Sequence, residues 1–188
     1  MNKLILITGD LASGKSTLAN KLSKELGILC FTKDVLKEIL SDDIGFSTRQ
    51  ENKNLSIASV NIMKHIFEQY AFLQKDLILE ANFHKDEFFS FVDLARTNNY
   101  KITLLYLEGQ IDELFDRFTN RIKAGRHPTH CTSDIIDKNG FEKYLIANRK
   151  EVDEFFISDI SNKIDFYKII VKDNNYEEVF SQAAEYIS

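Results

Sequence analysis

The sequence predicts an α/β fold, a mainly parallel sheet covered on both faces by helices. Three observations carry this. Five short apolar runs alternate with amphipathic segments along the 188 residues. The runs read as near-continuous hydrophobic stretches, the pattern of strands buried on both faces. The chain also holds only 7 Gly and 1 Pro, so no flexible linker divides it, and residues 1–188 read as one domain.

The elements follow in order. Leu4–Thr8 reads as a buried strand and Lys15–Leu26 as a helix closed by Gly27. Ile28–Thr32 is a second strand and Asp34–Leu40 a short helix, with Gly45 beyond it. Ser47–Gln74 is a long helix with Leu55, Val60, Met63, Phe67, Tyr70 and Leu73 near one stripe. Leu77–Leu79 is a strand ending at Glu80, and Lys85–Asn98 a helix with Phe88, Phe91, Val92 and Ala95 inward. Lys101–Leu107 is a strand. Gln110–Ala124 is a helix with Ile111, Leu114, Phe115, Phe118 and Ile122 on one face. Gly125–Asp137 is polar and irregular, Gly140–Phe156 helical, Phe166–Val171 the last strand and Tyr176–Ile187 the closing helix.

Composition narrows the function. The net charge is −5 with 24 basic and 29 acidic residues, which argues against non-specific binding to nucleic acid or an anionic membrane. No stretch is long enough to span a bilayer, and the apolar run at Leu4–Ile7 is too short for a signal peptide. Two widely separated cysteines, Cys30 and Cys131, indicate free thiols and a cytoplasmic protein.

Between the first strand and the first helix stands Gly9-Asp10-Leu11-Ala12-Ser13-Gly14-Lys15-Ser16, followed by Thr17. It fits G-x-x-x-x-G-K-[ST] in the strand–loop–helix context that the motif requires. The glycines let backbone N–H groups turn around phosphate oxygens, and the helix adds its positive N-terminal end. Lys15 would reach the β- and γ-phosphates of ATP, and Ser16 would place its hydroxyl on Mg²⁺. Two strings evoke a GTPase, Asp42-Asp43-Ile44-Gly45 and Asn162-Lys163-Ile164-Asp165. The first follows a helix and the second precedes a strand, so both are chance matches.

Three further groups suit phosphoryl transfer. Asp34 follows the second strand, at the carboxyl end where α/β sheets place ligands, and Lys37 lies three residues on. Together they could bind and deprotonate an acceptor hydroxyl. Glu80 ends the third strand, where a carboxylate could hold Mg²⁺ or the acceptor, with Asn82 and His84 nearby. Arg117, Arg121 and Arg126 could close over ATP and stabilise charge on the transferring group, the first two being one helical turn apart. His127 and His130 alone make a weak zinc site and read better as part of a lid spanning residues 117–138.

These motifs resemble those of the P-loop small-molecule kinases, a group including shikimate and gluconate kinases, chloramphenicol phosphotransferase, zeta toxins and polynucleotide 5′-hydroxyl kinases. The segment Arg126-His127-Pro128-Thr129-His130 is similar to one in AAA-domain or zeta-toxin-like kinases. The resemblance implies a P-loop NTPase three-layer sandwich with a five-stranded parallel sheet of order 2-3-1-4-5 and a short lid. It implies that Asp34 is the general base and that Arg117 stacks on adenine while Arg121 contacts phosphates. The segment Lys172-Asp173-Asn174 would border the other edge of the adenine, with Asn174 a nucleotide contact. The acceptor motifs of the named enzymes are missing: Glu80-Ala81-Asn82-Phe83 and Thr32-Lys33-Asp34 stand where those families carry their own signatures. The expectation is an ATP-dependent phosphotransferase acting on a small-molecule hydroxyl. A polynucleotide 5′-kinase and a nucleotide-binding regulatory or toxin–antitoxin protein are the alternatives.

Overall fold

In the computed structural model, which describes residues 1–130, 137–155, 164–173 and 175–187, five strands form a parallel sheet. In chain order the elements are β1 (Lys3–Gly9), α1 (Lys15–Leu26), β2 (Cys30–Thr32), α2 (Lys33–Ile44), α3 (Arg49–Phe72) and β3 (Leu77–Glu80). They continue with α4 (Lys85–Thr97), β4 (Lys101–Gly109), α5 (Ile111–Lys123), α6 (Lys138–Phe155), β5 (Asp165–Val171) and α7 (Tyr176–Ile187). The strand order is β2-β3-β1-β4-β5, the order expected.

The strict alternation of side chains along β1 explains the layering. Leu4 and Leu6 face one side, where Leu77, Leu79, Ile102 and Leu104 meet Met63 and Phe67 of α3 and Phe91 and Val92 of α4. Ile5 and Ile7 face the other, against Leu18 and Leu22 of α1 and Val179 and Ala183 of α7. A third, smaller core joins Leu114 and Phe118 of α5 to Phe141 and Leu145 of α6, and it includes Ala12. No helix among the described residues is long and apolar enough to cross a membrane.

Three expectations differ in detail. α2 continues past Leu40 to Ile44 and is ended by Gly45, whose N–H donates to Ser41 O at 2.8 Å. Gly140 lies inside α6 rather than opening it. Asp137 accepts from Gly140 N at 2.7 Å, so a side-chain cap starts the helix before the glycine. Ile122 and Leu73, placed on core faces by periodicity, are 45% and 56% exposed, because each lies in or just past the last turn of a helix, beyond the sheet.

Candidate active site

Register brings the ends of three strands level. Glu80 pairs with Ile7 of β1 and with Thr32 of β2, so the loop after β1, the start of α2 and the end of β3 open at one edge.

The loop after β1 has little freedom. Gly9 has φ 130°, and a Cβ there would fall 2.2 Å from Leu107 O of the neighbouring strand. Only glycine permits that approach. Ala12 (φ 64°) and Gly14 (φ 88°) adopt left-handed backbone, the alternation that turns successive N–H groups into one concavity. Ala12 holds this unfavourable conformation while 4% exposed, packed in the small α5–α6 core.

Asp10, expected as a nucleotide contact, is bonded within the protein on both backbone and side chain. Its N–H donates to Leu107 O at 2.8 Å. Its carboxylate accepts from Gly109 N at 3.0 Å and from the Tyr106 hydroxyl at 3.3 Å. It also receives Arg149 of α6, Nε to Oδ1 at 3.1 Å and Nη2 to Oδ2 at 2.5 Å. These bonds anchor the loop to β4 and α6. The burial of Arg149 works against its charge, but the hydrogen bond and charge of Asp10 outweigh it and hold the guanidinium above its ordinary value.

Lys15 is 7% exposed, and its ammonium donates to Asp10 O at 2.6 Å and Gly9 O at 3.2 Å. Burial pulls its pKa down, opposed by the charges of Glu80, Asp34 and Asp10. Glu80 is 4% exposed, and burial pushes its carboxyl up while Lys15 acts against the shift. The Ser16 hydroxyl donates to Glu80 Oε2 at 3.0 Å. A hydroxyl and a buried carboxylate at that separation are the hard oxygen donors that suit a divalent cation.

One pocket gathers most of the predicted residues. Leu11, Ala12, Gly14, Lys15 and Ser16 line one side, and Asp34, Glu80, Asn82, Arg121 and Arg126 the rest. Asp34 sits in the first turn of α2, where the helix dipole favours a carboxylate. Burial pulls the pKa of Arg126 down, and the charge of Asp34 acts against it.

Other predicted residues lie beside this pocket. Arg117 reaches Asp173 (Nη2 to Oδ1 2.5 Å) and Glu113 (3.8 Å), which joins α5 to the turn after β5. Thr17 is exposed, and its carbonyl accepts from the Tyr176 hydroxyl at 3.1 Å. Ser13 is buried, with its hydroxyl donating to Asp10 O at 2.8 Å. Lys37 donates to Thr129 O at 3.1 Å. Asn174 lies outside the described residues, as do 131–136 of the expected lid.

Arg126–His130 rests on α2. His127 Nε2 meets Asp42 Oδ1 at 3.0 Å, and His130 meets Glu38 Oε1 at 2.5 Å and Asp34 Oδ2 at 3.7 Å. Asp34, Glu38 and Asp42 follow at intervals of four, which presents one acidic stripe of α2 to both histidines. No group of three His, Cys, Asp or Glu able to hold a metal ion occurs among the described residues. Arg149 had no motif to point to it: it and Asp10 stand 139 residues apart.

Residues 4–139 match the protein family described as AAA domain. No curated protein matches the chain. A candidate kinase from Chloroflexus aurantiacus J-10-fl is similar over 100% of this chain and 99% of its own, with 22% identity and a TM-score of 0.76. The APS kinase CysC of Mycobacterium tuberculosis, solved with AMPPNP and APS, is similar over 99% and 97%, with 16% identity and a TM-score of 0.60. A gluconokinase from Sinorhizobium meliloti 1021 is similar over 98% and 95%, with 13% identity and a TM-score of 0.57. At these identities the likeness is one of fold, that of P-loop small-molecule kinases.

Proposed function

The chain belongs to the AAA-domain family, and from that premise we propose that it moves the γ-phosphoryl group of ATP to a hydroxyl of a small molecule. The observation that carries this reading is the single pocket shared by Lys15, Ser16, Asp34, Glu80, Arg121 and Arg126.

In this reading the Gly9–Thr17 segment holds the phosphates, cradled by the N–H groups that the left-handed turns at Ala12 and Gly14 direct into one concavity. Lys15 exchanges its loop carbonyls for β- and γ-phosphate oxygens. Arg117 and the turn after β5 border the adenine, and Arg121 and Arg126 face the transferring group. Ser16 and Glu80 would hold Mg²⁺, whose charge offsets that of the phosphates when bound. Lys37 and Asn82 orient the acceptor. Asp34 takes the proton of the acceptor hydroxyl as its oxygen bonds to the γ-phosphorus, and ADP departs with the bridging oxygen. Residues 117–138 act as the lid, which excludes water from the transfer.

Phosphoryl transfer is supported by electrostatics more than by proton transfer. Three cationic side chains and a helix N-terminus converge on one pocket, and preorganised charge of this kind is usually the largest share of catalysis. The test is transfer of label from γ-labelled ATP across hydroxyl-bearing metabolites and chloramphenicol- and aminoglycoside-like drugs. A labelled acceptor is expected. Nucleotide binding with label passed to none of them would overturn the reading in favour of a regulatory protein.

A further inference from the structure

Beside the pocket of Asp34 and Lys15 lies a second cleft, of about 680 Å³, between α2, the start of α3 and the turn after β3. Three of its seven lining residues are cationic, Lys37, Arg49 and Lys53, and His84 stands on the opposite wall. The others, Gln50, Asn52 and Ser56, are uncharged hydrogen-bonding residues, so among the described residues no carboxylate lines it. This is a concentration of positive charge in a chain whose net charge is −5.

The acid nearest in sequence faces elsewhere. Glu51 closes the capping box of α3, accepting from Ser47 N at 2.6 Å and Thr48 N at 2.9 Å. The walls are also tied together. Lys37 Nζ of α2 and Asn52 Nδ2 of α3 both donate to Thr129 O, each at 3.1 Å, and Thr129 is 1% exposed. A shared buried carbonyl fixes the two helices and the segment after α5 in one arrangement.

The cleft and the proposed active site share two walls. Lys37 stands one turn beyond Asp34 on α2. His84 follows Asn82 on the chain leaving β3. A molecule seated between them would place one end at Asp34 and the other at Lys37, Arg49 and Lys53.

We propose that this cleft binds an oxyanion group of the acceptor, so that the substrate is a small hydroxyl compound carrying a phosphate, sulfate or carboxylate. The inference rests on the phosphotransferase reading and deepens it. A volume of about 680 Å³ suits a metabolite, and cationic groups on two facing helices, Lys37 on α2 and Arg49 and Lys53 on α3, recognise an anion at one end of it. The acidic balance of the rest of the chain favours a small anion over a polynucleotide.

The test uses the full chain saturated with MgADP, which occupies the phosphate loop, and titrates inorganic phosphate by calorimetry. Phosphate should bind, and the Arg49→Ala/Lys53→Ala variant should bind it about tenfold or more weakly, since each charge-assisted bond is worth at least a factor of this order. Lys53→Glu should do the same by charge reversal. MgADP affinity should not change. No phosphate binding by the wild type, or equal binding by the variants, overturns the proposal. The acceptor found by label transfer should be an acid whose KM rises in the double variant. A neutral acceptor, or a 5′-hydroxyl oligonucleotide as the best acceptor, overturns it equally. Failure of the wild type to bind MgADP counts against the kinase reading instead. The phosphate titration, repeated without nucleotide in a Lys15→Ala background, then decides the anion site by itself.

Discussion

Arg149 of α6 grips Asp10 of the phosphate loop at two points, Nε to Oδ1 at 3.1 Å and Nη2 to Oδ2 at 2.5 Å. The same guanidinium donates to Gly109 O at 2.6 Å, so α6, β4 and the loop meet at one cation. The side chain of Asp10 is fully buried and that of Arg149 only 20% exposed. Truncating one partner of such a pair leaves a buried charge uncompensated, at a cost of about 3–5 kcal/mol. Arg149→Ala should therefore lower unfolding stability by about 3 kcal/mol in urea titration. Adding Asp10→Asn should recover part of that loss, because a neutral amide needs no counter-charge. Additive losses in the two variants would show that the pair is not coupled.

Gly9→Ala tests the close approach of β1 to β4. The added Cβ would lie 2.2 Å from Leu107 O and 2.5 Å from Leu107 N, both backbone atoms that cannot turn aside. The positive φ of 130° adds strain of its own. Overpacking of this kind costs about 3 kcal/mol or more, and the loop would be displaced with it. Thermal unfolding should show a large drop and loss of nucleotide protection together. Near-wild-type stability would mean that the strands separate easily.

Lys15→Ala addresses the nucleotide directly. MgADP at a hundred times its Kd should stabilise the wild type by about 2.7 kcal/mol, and the variant should lose most of this gain. The apo stability of the variant is a separate readout, because the substitution relieves a buried charge and also removes the counter-charge of Glu80, so the nucleotide gain is compared with each protein's own apo value. Undiminished nucleotide protection would refute the loop as the phosphate site.

Much of this organisation is legible in the sequence, for local reasons. α1 and α7 have the predicted bounds because glycine and periodicity mark them: Gly27 takes a left-handed C-cap, and Val179, Ala183 and Ile187 are buried at helical spacing. Asp34, Glu80 and Asn82 are legible because strand ends are where α/β sheets expose side chains, and one pocket unites them with Lys15. What the sequence hides depends on distance along the chain. Arg149 looks like one of many charges on an amphipathic helix, and Asp10 like a phosphate-loop residue, until the fold joins them. The basic cleft is hidden in the same way, since Lys37, Lys53 and His84 lie on three separate elements.

Asp34→Asn separates binding from chemistry. The substitution keeps the shape and removes the proton acceptor, so nucleotide protection should persist while transfer falls by about 10²–10⁴. A rate near that of the wild type would exclude Asp34 as the base. His130 lies 3.7 Å from Asp34 and 2.5 Å from Glu38, so His130→Ala provides a control in which the carboxylate remains but its neighbour is lost.

Glu80 sets a pH dependence whose direction follows from burial. Its pKa is raised above the ordinary 4.5 because desolvation outweighs the charge of Lys15. A raised carboxyl contributes stability that is fully present below its unfolded pKa and lost as pH rises through the folded value. The apo protein should thus lose stability across the window that begins at about the ordinary glutamate pKa and extends above it. Glu80→Gln should flatten that slope. Divalent cation binding runs the other way, since it needs the ionised form. The additional protection that Mg²⁺ gives to ADP-bound protein should therefore fade on acidification while the pH is still above the ordinary glutamate range, and Glu80→Gln should abolish it at neutral pH. A Mg²⁺ gain that survives in Glu80→Gln would remove this carboxylate from the cation site and leave it to the acceptor.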